Sequence, residues 1–470
     1  MSSPSILMAI ILVTQLPDLS RSMPLTWSEY DLSTAVVTNA PVDRPPARAN
    51  AAIGYYSILK FMVIFGGRDE NRTALNDTWV FDMTRRRWYY VNSSPAPSAR
   101  YASTHGVYEH VMYMFGGCDQ TDSCSNELWI FNIRSFTWSR MNTTSVWPTG
   151  RGFAAGGMFA STPAMYVTHG RSTNGAFLSD TFMYDIAQRR WFMLQSGQLV
   201  YDPNTAHPRA YTASTMIQPA TLLMFGGCVK HGPCPADDAW SIQAETNKWT
   251  KLDYCAVPMR GSQLSYHRQN GHEYALMFHG QSGGAQMFGS MSMSNNEVYV
   301  FEVETSRWSI VIAEGADPAS LPAMRHAAAV VYADGDVIMF GGQALNGSIL
   351  NDLWLLSGSP IDSRVSRQCD GAHFTLISLH GIFMFLAFGI CSQFAGAFAY
   401  YATINEISDK LNWRYVHIGL QVSCGVLAFI GFIVAVIMIP SDVSHFQSVH
   451  GCFGLFVLLL FVAQVGIIAL

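Results

Sequence analysis

A six-fold internal repeat between about residues 24 and 358 limits the folds open to this 470-residue chain more than any other feature. The clearest copy contains Phe65-Gly66-Gly67, then Asn76-Asp77-Thr78-Trp79, Phe81-Asp82 and Trp88. The glycine-pair position returns, intact or altered, at intervals of 50 to 62 residues, in segments that begin at Phe115, Thr168, Phe225, Phe278 and Phe340. Recurrence at this period indicates an array of similar structural units.

The repeated motif resembles the kelch repeat, in which each copy forms one four-stranded blade of a β-propeller. The resemblance covers about 330 residues and implies an all-β, six-bladed kelch propeller at residues 23–358. Within each copy the glycine pair ends a buried strand where a side chain would not fit. The two aromatic residues per copy are expected to pack between adjacent blades. The sixth copy lacks a closing tryptophan, so we expect Trp27 to complete the last blade and close the ring.

The last hundred residues have a different composition. Charged residues make up 13% of the whole chain, against about 25% in soluble proteins, and none occurs in 374–401, 416–440 or 446–470. Each of these stretches is long enough to cross a hydrocarbon core of about 30 Å. We therefore expect an all-α transmembrane bundle at 374–470, with helices at about 374–401, 415–439 and 447–470. A linker at 359–373 joins it to the propeller.

Each apolar segment carries a histidine near its N-terminal end: His380, His417 and His450. Ionisable side chains inside a membrane usually serve a function. Because successive helices alternate in direction, His380 and His450 are expected near one membrane surface and His417 near the other. The segments around these histidines resemble the transmembrane domain of cytochrome b561 and ferric reductases.

That resemblance implies haem b held by four histidines on four helices, the first paired with the third and the second with the fourth. His380 and His450 would then bind the outer haem iron, and His417 the inner iron. We expect one complete haem site and a second that lacks a ligand, and we interpret the chain as a fragment without the fourth helix. The alternative, in which the histidines are polar residues that hold helices together, stays open.

The loops indicate the orientation in the membrane. Lys410 and Arg414 lie in the first loop, at 403–414, whereas the second, at 441–447, has no Lys or Arg. The positive-inside rule places the first loop in the cytoplasm and the propeller outside or in a lumen. Residues 1–22, with an apolar run at 6–13, are predicted to be a signal peptide. Five sequons before the first membrane segment agree with glycosylation of the propeller, at Asn71, Asn76, Asn92, Asn142 and Asn346.

The cysteines also favour an oxidising compartment for the propeller. Cys118 and Cys124 follow one glycine pair, and Cys228 and Cys234 follow another at the same spacing. Two short disulfide-closed loops explain this pattern better than a metal site. Cys255 and Cys369 remain as a further potential pair, and Cys391, Cys424 and Cys452 fall in the membrane segments as apolar packing residues.

The leading functional hypothesis is a multi-pass membrane protein that moves electrons through haem. The resemblance implies a cytoplasmic donor such as ascorbate, and the outer acceptor could be ferric iron or monodehydroascorbate; whether the chain is an oxidoreductase stays open. The propeller would be a rigid module that binds a protein or glycan. The alternative is a membrane-anchored kelch receptor or adhesion protein with a non-redox anchor. The net charge of −5, without a basic patch, gives no indication of nucleic-acid binding.

A galactose oxidase-like copper site is a further alternative, because those enzymes use a similar propeller. No spacing singles out a ligand set among the propeller histidines, which are His169, His207, His267, His272, His279 and His326. His169 and His279 occupy a glycine position of the motif, which favours a structural role. The sequence therefore identifies no propeller active site.

Overall fold

The computed structural model describes residues 23–368 and 376–460, with interruptions. The interruptions are at 33–35, 39–43, 143–146, 160–162, 198–201, 203, 218–219, 231, 253–258, 283–293, 317–319, 405–412 and 438–453. The expected signal peptide, His450, Cys255, Cys369 and Cys452 lie outside the described residues.

The repeats form six blades of antiparallel strands, which confirms the predicted six-bladed propeller. Blade 1 contains Ala52–Tyr56, Phe61–Phe65, Thr78–Asp82 and Arg87–Val91, and blade 2 contains Thr104–Tyr108, Val111–Phe115, Leu128–Asn132 and Thr137–Met141. Blade 3 contains Ala155–Phe159, Ala164–Thr168, Thr181–Asp185 and Arg190–Gln195, and blade 4 contains Ala213–Ile217, Thr221–Phe225, Ala239–Gln243 and Lys248–Leu252. Blade 5 contains Gln263–Gln269, His272–Phe278, Glu297–Glu302 and Arg307–Ile312. Blade 6 contains Ala329–Ala333, Asp336–Ala344, Ile349–Ser357 and the N-terminal Thr26–Glu29.

Short strands extend these sheets. Val36–Thr38 runs parallel to the outer strand of blade 1, and Glu314–Gly315 runs parallel to Thr26–Glu29. Two-residue strands pair neighbouring loops in three places: Arg151–Gly152 with Arg171–Ser172, Arg209–Ala210 with Cys228–Val229, and Met259–Arg260 with Gln281–Ser282. A fourth short strand, Arg325–His326, pairs with the second strand of blade 6. Arg364–Gln368, within the expected linker, forms a strand that adds to the outer edge of blade 5.

The N-terminal strand closes the ring as predicted. Thr26–Glu29 pairs antiparallel with the last blade, with Trp27 opposite Leu356. The Trp27 side chain is fully buried and meets Phe278 of blade 5 edge-on, at a ring-centroid distance of 5.2 Å. The N-terminal segment thus supplies the fourth strand of the last blade, so that one sheet contains strands from both ends of the propeller sequence.

The same aromatic pair recurs between neighbouring blades, which confirms the predicted packing. The phenylalanine before a glycine pair contacts the closing tryptophan of the next blade at centroid distances of 5.0 to 6.2 Å, in Phe65–Trp138, Phe115–Trp191, Phe225–Trp308, Phe278–Trp27 and Phe340–Trp88. Between blades 3 and 4 the phenylalanine position is occupied by Thr168, and His169, in the following glycine position, meets Trp249 at 5.3 Å. Each pair buries a large aromatic area at an inter-blade seam.

Buried arginines tie the loops to the sheets in five of the six blades. Arg209 donates to both oxygens of Asp238, at 2.5 and 2.7 Å, and to the carbonyl oxygen of Gly226. Trp240 Nε1 donates to the same carboxylate at 2.6 Å. Equivalent ion pairs are Arg48–Asp77, Arg100–Glu127, Arg151–Asp180 and Arg325–Asp352. Blade 5 has Met259 in the arginine position, and Met259 is buried.

A closed ring of backbone hydrogen bonds joins all six blades on one side of the propeller. One residue per blade takes part, two positions after the arginine position. Its N–H donates to the carbonyl oxygen of the corresponding residue of the preceding blade, at 2.8 to 3.4 Å. The six residues are Asn50, Ala102, Phe153, Tyr211, Gly261 and Ala327. All six have positive φ, between 54° and 62°. Five of them are not glycine, and the ring of hydrogen bonds offsets the local strain of that conformation.

Helices follow the propeller. Helix α1 (Leu376–Met384) continues through a π-helical turn at Phe385–Cys391 into helix α2 (Ser392–Ile404), and helix α3 is Trp413–Ile437. Residues 454–460 are also helical. Ser378–Tyr401 and Tyr415–Ile437 are long and apolar enough to cross a membrane, by length and composition. The uncharged sequence fits helices there, because a helix satisfies its own backbone groups inside lipid.

Candidate haem site

His380 lies in helix α1 and faces helix α3. Its Nδ1 lies 2.8 Å from the carbonyl oxygen of Gly431. A Cβ at Gly431 would come within 2.9 Å of Met384 Sδ and 3.3 Å of Phe383 Cβ, so a larger residue there would force these side chains to shift. The missing side chain of Gly431 therefore brings a backbone carbonyl within reach of the imidazole.

His417 lies near the start of helix α3 and makes the reciprocal contact. Its Nδ1 is 3.0 Å from the carbonyl oxygen of Ala395, in helix α2. Ala395 is fully buried, and His417 is half-buried. A carbonyl that accepts from Nδ1–H fixes the imidazole as the tautomer whose lone pair is on Nε2. Both imidazoles are thus oriented in the way that metal-bound histidines usually are.

The two histidines occupy two separate levels of the helix pair. His380 lies level with Gly431, and His417 lies level with Ala395. Fourteen residues separate His417 from Gly431 within helix α3, so a rise of 1.5 Å per residue gives about 21 Å between the two levels. Two levels this far apart fit within a hydrocarbon core of about 30 Å, one towards each surface.

The surroundings of both histidines suit a b-type haem. A Cβ added at Gly381, beside His380, or at Gly419, beside His417, would meet no atom within 4 Å. The same is true of Gly396, beside the carbonyl that receives the His417 hydrogen bond. A flat haem would need open space beside the histidine that holds it, and His380 and His417 would each supply an imidazole nitrogen to its iron. The described residues therefore fit the group.

The free cysteines of the helices lie between the two levels. Cys424 is buried with Ala387 and Ala428, and Cys391 packs against this cluster. Both have the packing environment expected for apolar membrane residues.

The propeller histidines in the motif's glycine position are packing residues. His169 and His279 are fully buried with positive φ of 59° and 57°. Burial, reinforced by the nearby Arg209, lowers the pKa of His169 to about 3. Burial, reinforced by Arg325, lowers the pKa of His279 to about 3. Within the described residues no group of three or more His, Cys, Asp or Glu side chains could hold a metal ion.

A cluster of aromatic and charged side chains lies on the same side of the propeller as the hydrogen-bond ring. The Arg171 guanidinium is 3.0 Å from Asp122 and 3.3 Å from the Tyr211 hydroxyl, which belongs to a ring 4.3 Å from Phe153. Tyr101 also donates to Asp122. Hydrogen bonds from Tyr101 and Arg171 outweigh partial burial and lower the pKa of the Asp122 carboxyl. We call Tyr101, Asp122, Phe153, Arg171 and Tyr211 the loop-side cluster.

The remaining predicted residues belong to the disulfides and the sequons of the propeller. Disulfides join Cys118 to Cys124 and Cys228 to Cys234. All five sequon asparagines are exposed; they are Asn71, Asn76, Asn92, Asn142 and Asn346. In the sequon at Asn76 the Thr78 hydroxyl is buried and accepts a hydrogen bond from Trp138 Nε1 at 2.9 Å.

Sequence reasoning missed the groups that orient the histidines. Gly431 and Ala395 act through backbone carbonyls, which have no signature in a motif. The spacing did contain a signal for Gly431. It lies fourteen residues after His417 in the same helix, which places it at the other histidine level, beside His380. The buried arginines were also missed, although Arg48, Arg151 and Arg209 each precede their aspartate by 29 residues.

Comparison with protein families gives two matches. Residues 21–207 match the KLHDC2/KLHL20/DRC7 Kelch-repeats domain, and residues 379–469 match eukaryotic cytochrome b561. A search of curated proteins finds no match. The chain thus combines a kelch-repeat propeller domain with a eukaryotic cytochrome b561 domain. The second match identifies a membrane haem protein of the electron-transfer class, and its family binds haem b.

Proposed function

We propose that this kelch propeller joined to a cytochrome b561 domain moves electrons across a membrane, from a cytoplasmic donor such as ascorbate to an acceptor on the propeller side. The observation that carries the proposal is the pair of reciprocal hydrogen bonds, His380 to Gly431 and His417 to Ala395, which defines two histidine levels about 21 Å apart along helix α3. When bound there, haem b supplies reversible one-electron chemistry.

Each residue has a definite part in the proposal. His380 and His450 hold the outer haem, and His417 holds the inner haem together with a ligand from another helix. The carbonyls of Gly431 and Ala395 fix the imidazole orientation before the cofactor binds, which reduces the cost of ordering the ligands. The apolar helices keep water away from both levels. The acceptor would be ferric iron, monodehydroascorbate or a group held by the propeller.

The propeller is proposed to lie outside the cell or in a lumen and to bind a protein or glycan ligand. The loop-side cluster supports this role, because aromatic faces beside an arginine and a carboxylate offer both stacking and directed hydrogen bonds. The signal peptide and glycans expected from the sequence belong to the same proposal.

The first experiment measures haem per chain by pyridine haemochrome and reduced-minus-oxidised spectra in purified membrane protein. His380→Ala and His450→Ala should remove the same spectral component, because both variants lose a ligand of one iron. His417→Ala should leave that component intact. The matched control is His445→Ala, five residues before His450, which should retain the wild-type haem content.

A steric variant tests the position of the outer haem independently. Gly381→Leu fills the open space beside His380 and should abolish the component that His380→Ala removes, whereas Ile382→Leu at the next position should not. Absence of haem from the wild-type chain would contradict electron transfer and leave a membrane-anchored kelch receptor or adhesion protein. Loss of all haem in His445→Ala as well would show that the histidine effects are not specific.

A further inference from the structure

The propeller exposes large apolar side chains mainly on one side. We call the turn side the one that carries the first-to-second and third-to-fourth strand turns of each blade. The exposed large apolar residues of the described propeller are Met23, Ile58, Leu59, Met193, Leu345, Ile361 and Val365. Ile58 and Leu59 form the tip of the first turn of blade 1. Met23 and Ile361 lie at the turn side of blade 6, where strand Ile349–Ser357 ends and strand Thr26–Glu29 begins, and the Ser359 N–H donates to the Met23 carbonyl.

The chain also leaves the propeller on the turn side. The strand Arg364–Gln368 pairs with blade 5 so that Gln368 lies opposite Ser309, close to the turn that precedes Arg307. Seven residues, 369–375, separate Gln368 from the start of helix α1 at Leu376. The connection can span at most about 28 Å. The turn side is therefore tethered close to the membrane surface from which helix α1 begins.

Basic side chains lie beside the apolar tip of blade 1. Arg85 and Arg86 are exposed in the second turn of that blade, with the Arg85 side chain 71% exposed. Arg85 donates to Asp82 at 2.9 Å, and Lys60 pairs with Asp334 across the seam to blade 6. The Asp82 side chain is buried beneath Arg85, so Arg85 is the charged group of that pair presented to solvent, whereas the Asp334 side chain beside Lys60 is 34% exposed.

We propose that blade 1 docks on the bilayer that holds the helices, with Ile58 and Leu59 inserted among the headgroups and Arg85 and Arg86 on lipid phosphates. An apolar tip flanked by cations is the chemistry of interfacial membrane binding. Such a small patch binds weakly by itself, but the short tether makes the contact intramolecular and raises its effective concentration. Docking points the loop-side cluster away from the membrane and holds the propeller in one orientation over the outer histidine level.

The test places a fluorescent non-natural amino acid at position 58 of the full chain, in nanodiscs of phosphatidylcholine and phosphatidylglycerol. Lipids that carry a nitroxide near the headgroup quench a fluorophore that touches them. Quenching is expected at position 58 and not at position 345, which replaces the exposed Leu345 on the loop side and is the matched control. Ile58 is 73% exposed and Leu345 is 61% exposed, so neither label disturbs the core.

A charge variant gives a second readout that does not depend on the tip itself. Arg85→Glu with Arg86→Glu should lower the quenching at position 58, because anionic side chains repel anionic lipid. The same pair of substitutions should leave position 345 unchanged. Equal quenching at positions 58 and 345, or quenching at position 58 that the charge variant does not alter, would overturn the proposal. Neither readout requires haem, so the result is independent of the proposed electron transfer.

Discussion

The buried arginine of blade 4 offers a quantitative test of what holds the propeller together. Arg209 is fully buried and makes hydrogen bonds to both Asp238 oxygens and to the carbonyls of His207 and Gly226. Burial alone would raise the pKa of Asp238, but hydrogen bonds from Arg209 and Trp240 lower it. Arg209→Met, which copies the residue found at Met259 in blade 5, leaves that carboxylate, whose side chain is only 17% exposed, without its cation.

The expected cost of removing one partner of a buried pair is about 3–5 kcal/mol. At about 2 °C per kcal/mol for a large domain, the melting temperature should fall by about 6–10 °C. Tryptophan emission on heating reports this change, because eleven of the twelve tryptophans precede helix α3 and belong to the propeller part of the sequence. The full chain in nanodiscs is the sample.

Two comparisons make the result interpretable. Arg140→Met is the control, because Arg140 is 55% exposed and its pair with Glu127 lies at the surface, where such pairs contribute less than about 1 kcal/mol. Adding Asp238→Asn to Arg209→Met should recover part of the loss, since the amide carries no charge and still accepts from Trp240. If Arg209→Met melts as high as Arg140→Met, or if the double variant melts lower than Arg209→Met, the reasoning is wrong.

The remaining predictions concern ring closure, pH and orientation. Trp27→Ala removes a fully buried aromatic from the closing strand and should destabilise the propeller by about 3–5 kcal/mol; a thermal melt equal to wild type would refute closure as a source of stability. Because the folded state holds His279 neutral with its pKa lowered to about 3, the stability it contributes is complete above about pH 6.5 and declines as the pH falls from there towards 3. His279→Phe should therefore give a flatter melting-temperature curve below pH 6.5 than wild type, and identical curves would contradict this. An enzyme that removes N-glycans should shift the mass of protein made in a secreting host, and replacing all five sequon asparagines should abolish the shift; no shift in wild type would contradict an external or luminal propeller.

The repeat sequence predicted most of the propeller because each blade obeys the same local rules. The glycine pair, the two aromatic positions and the missing sixth tryptophan indicated six blades and closure by Trp27, and the strand pairing confirms both. The sequence did not predict the strand Arg364–Gln368, whose partner is more than fifty residues away in blade 5. A strand at the outer edge of a sheet is selected by the neighbouring edge rather than by its own pattern.

For the candidate haem site, the sequence by itself predicted histidine ligands at alternating depths, because successive apolar segments long enough to span a membrane are expected to cross it in opposite directions. Only the tertiary structure decided which backbone carbonyls orient His380 and His417, since that depends on how closely helix α3 approaches the first membrane helix at Gly431. The tertiary structure alone also decided the ring of hydrogen bonds between the blades and the grouping of side chains on the turn side of blade 1. Each of these features joins residues that are distant along the chain, and their contacts exist only once the packed elements fix the distances between them.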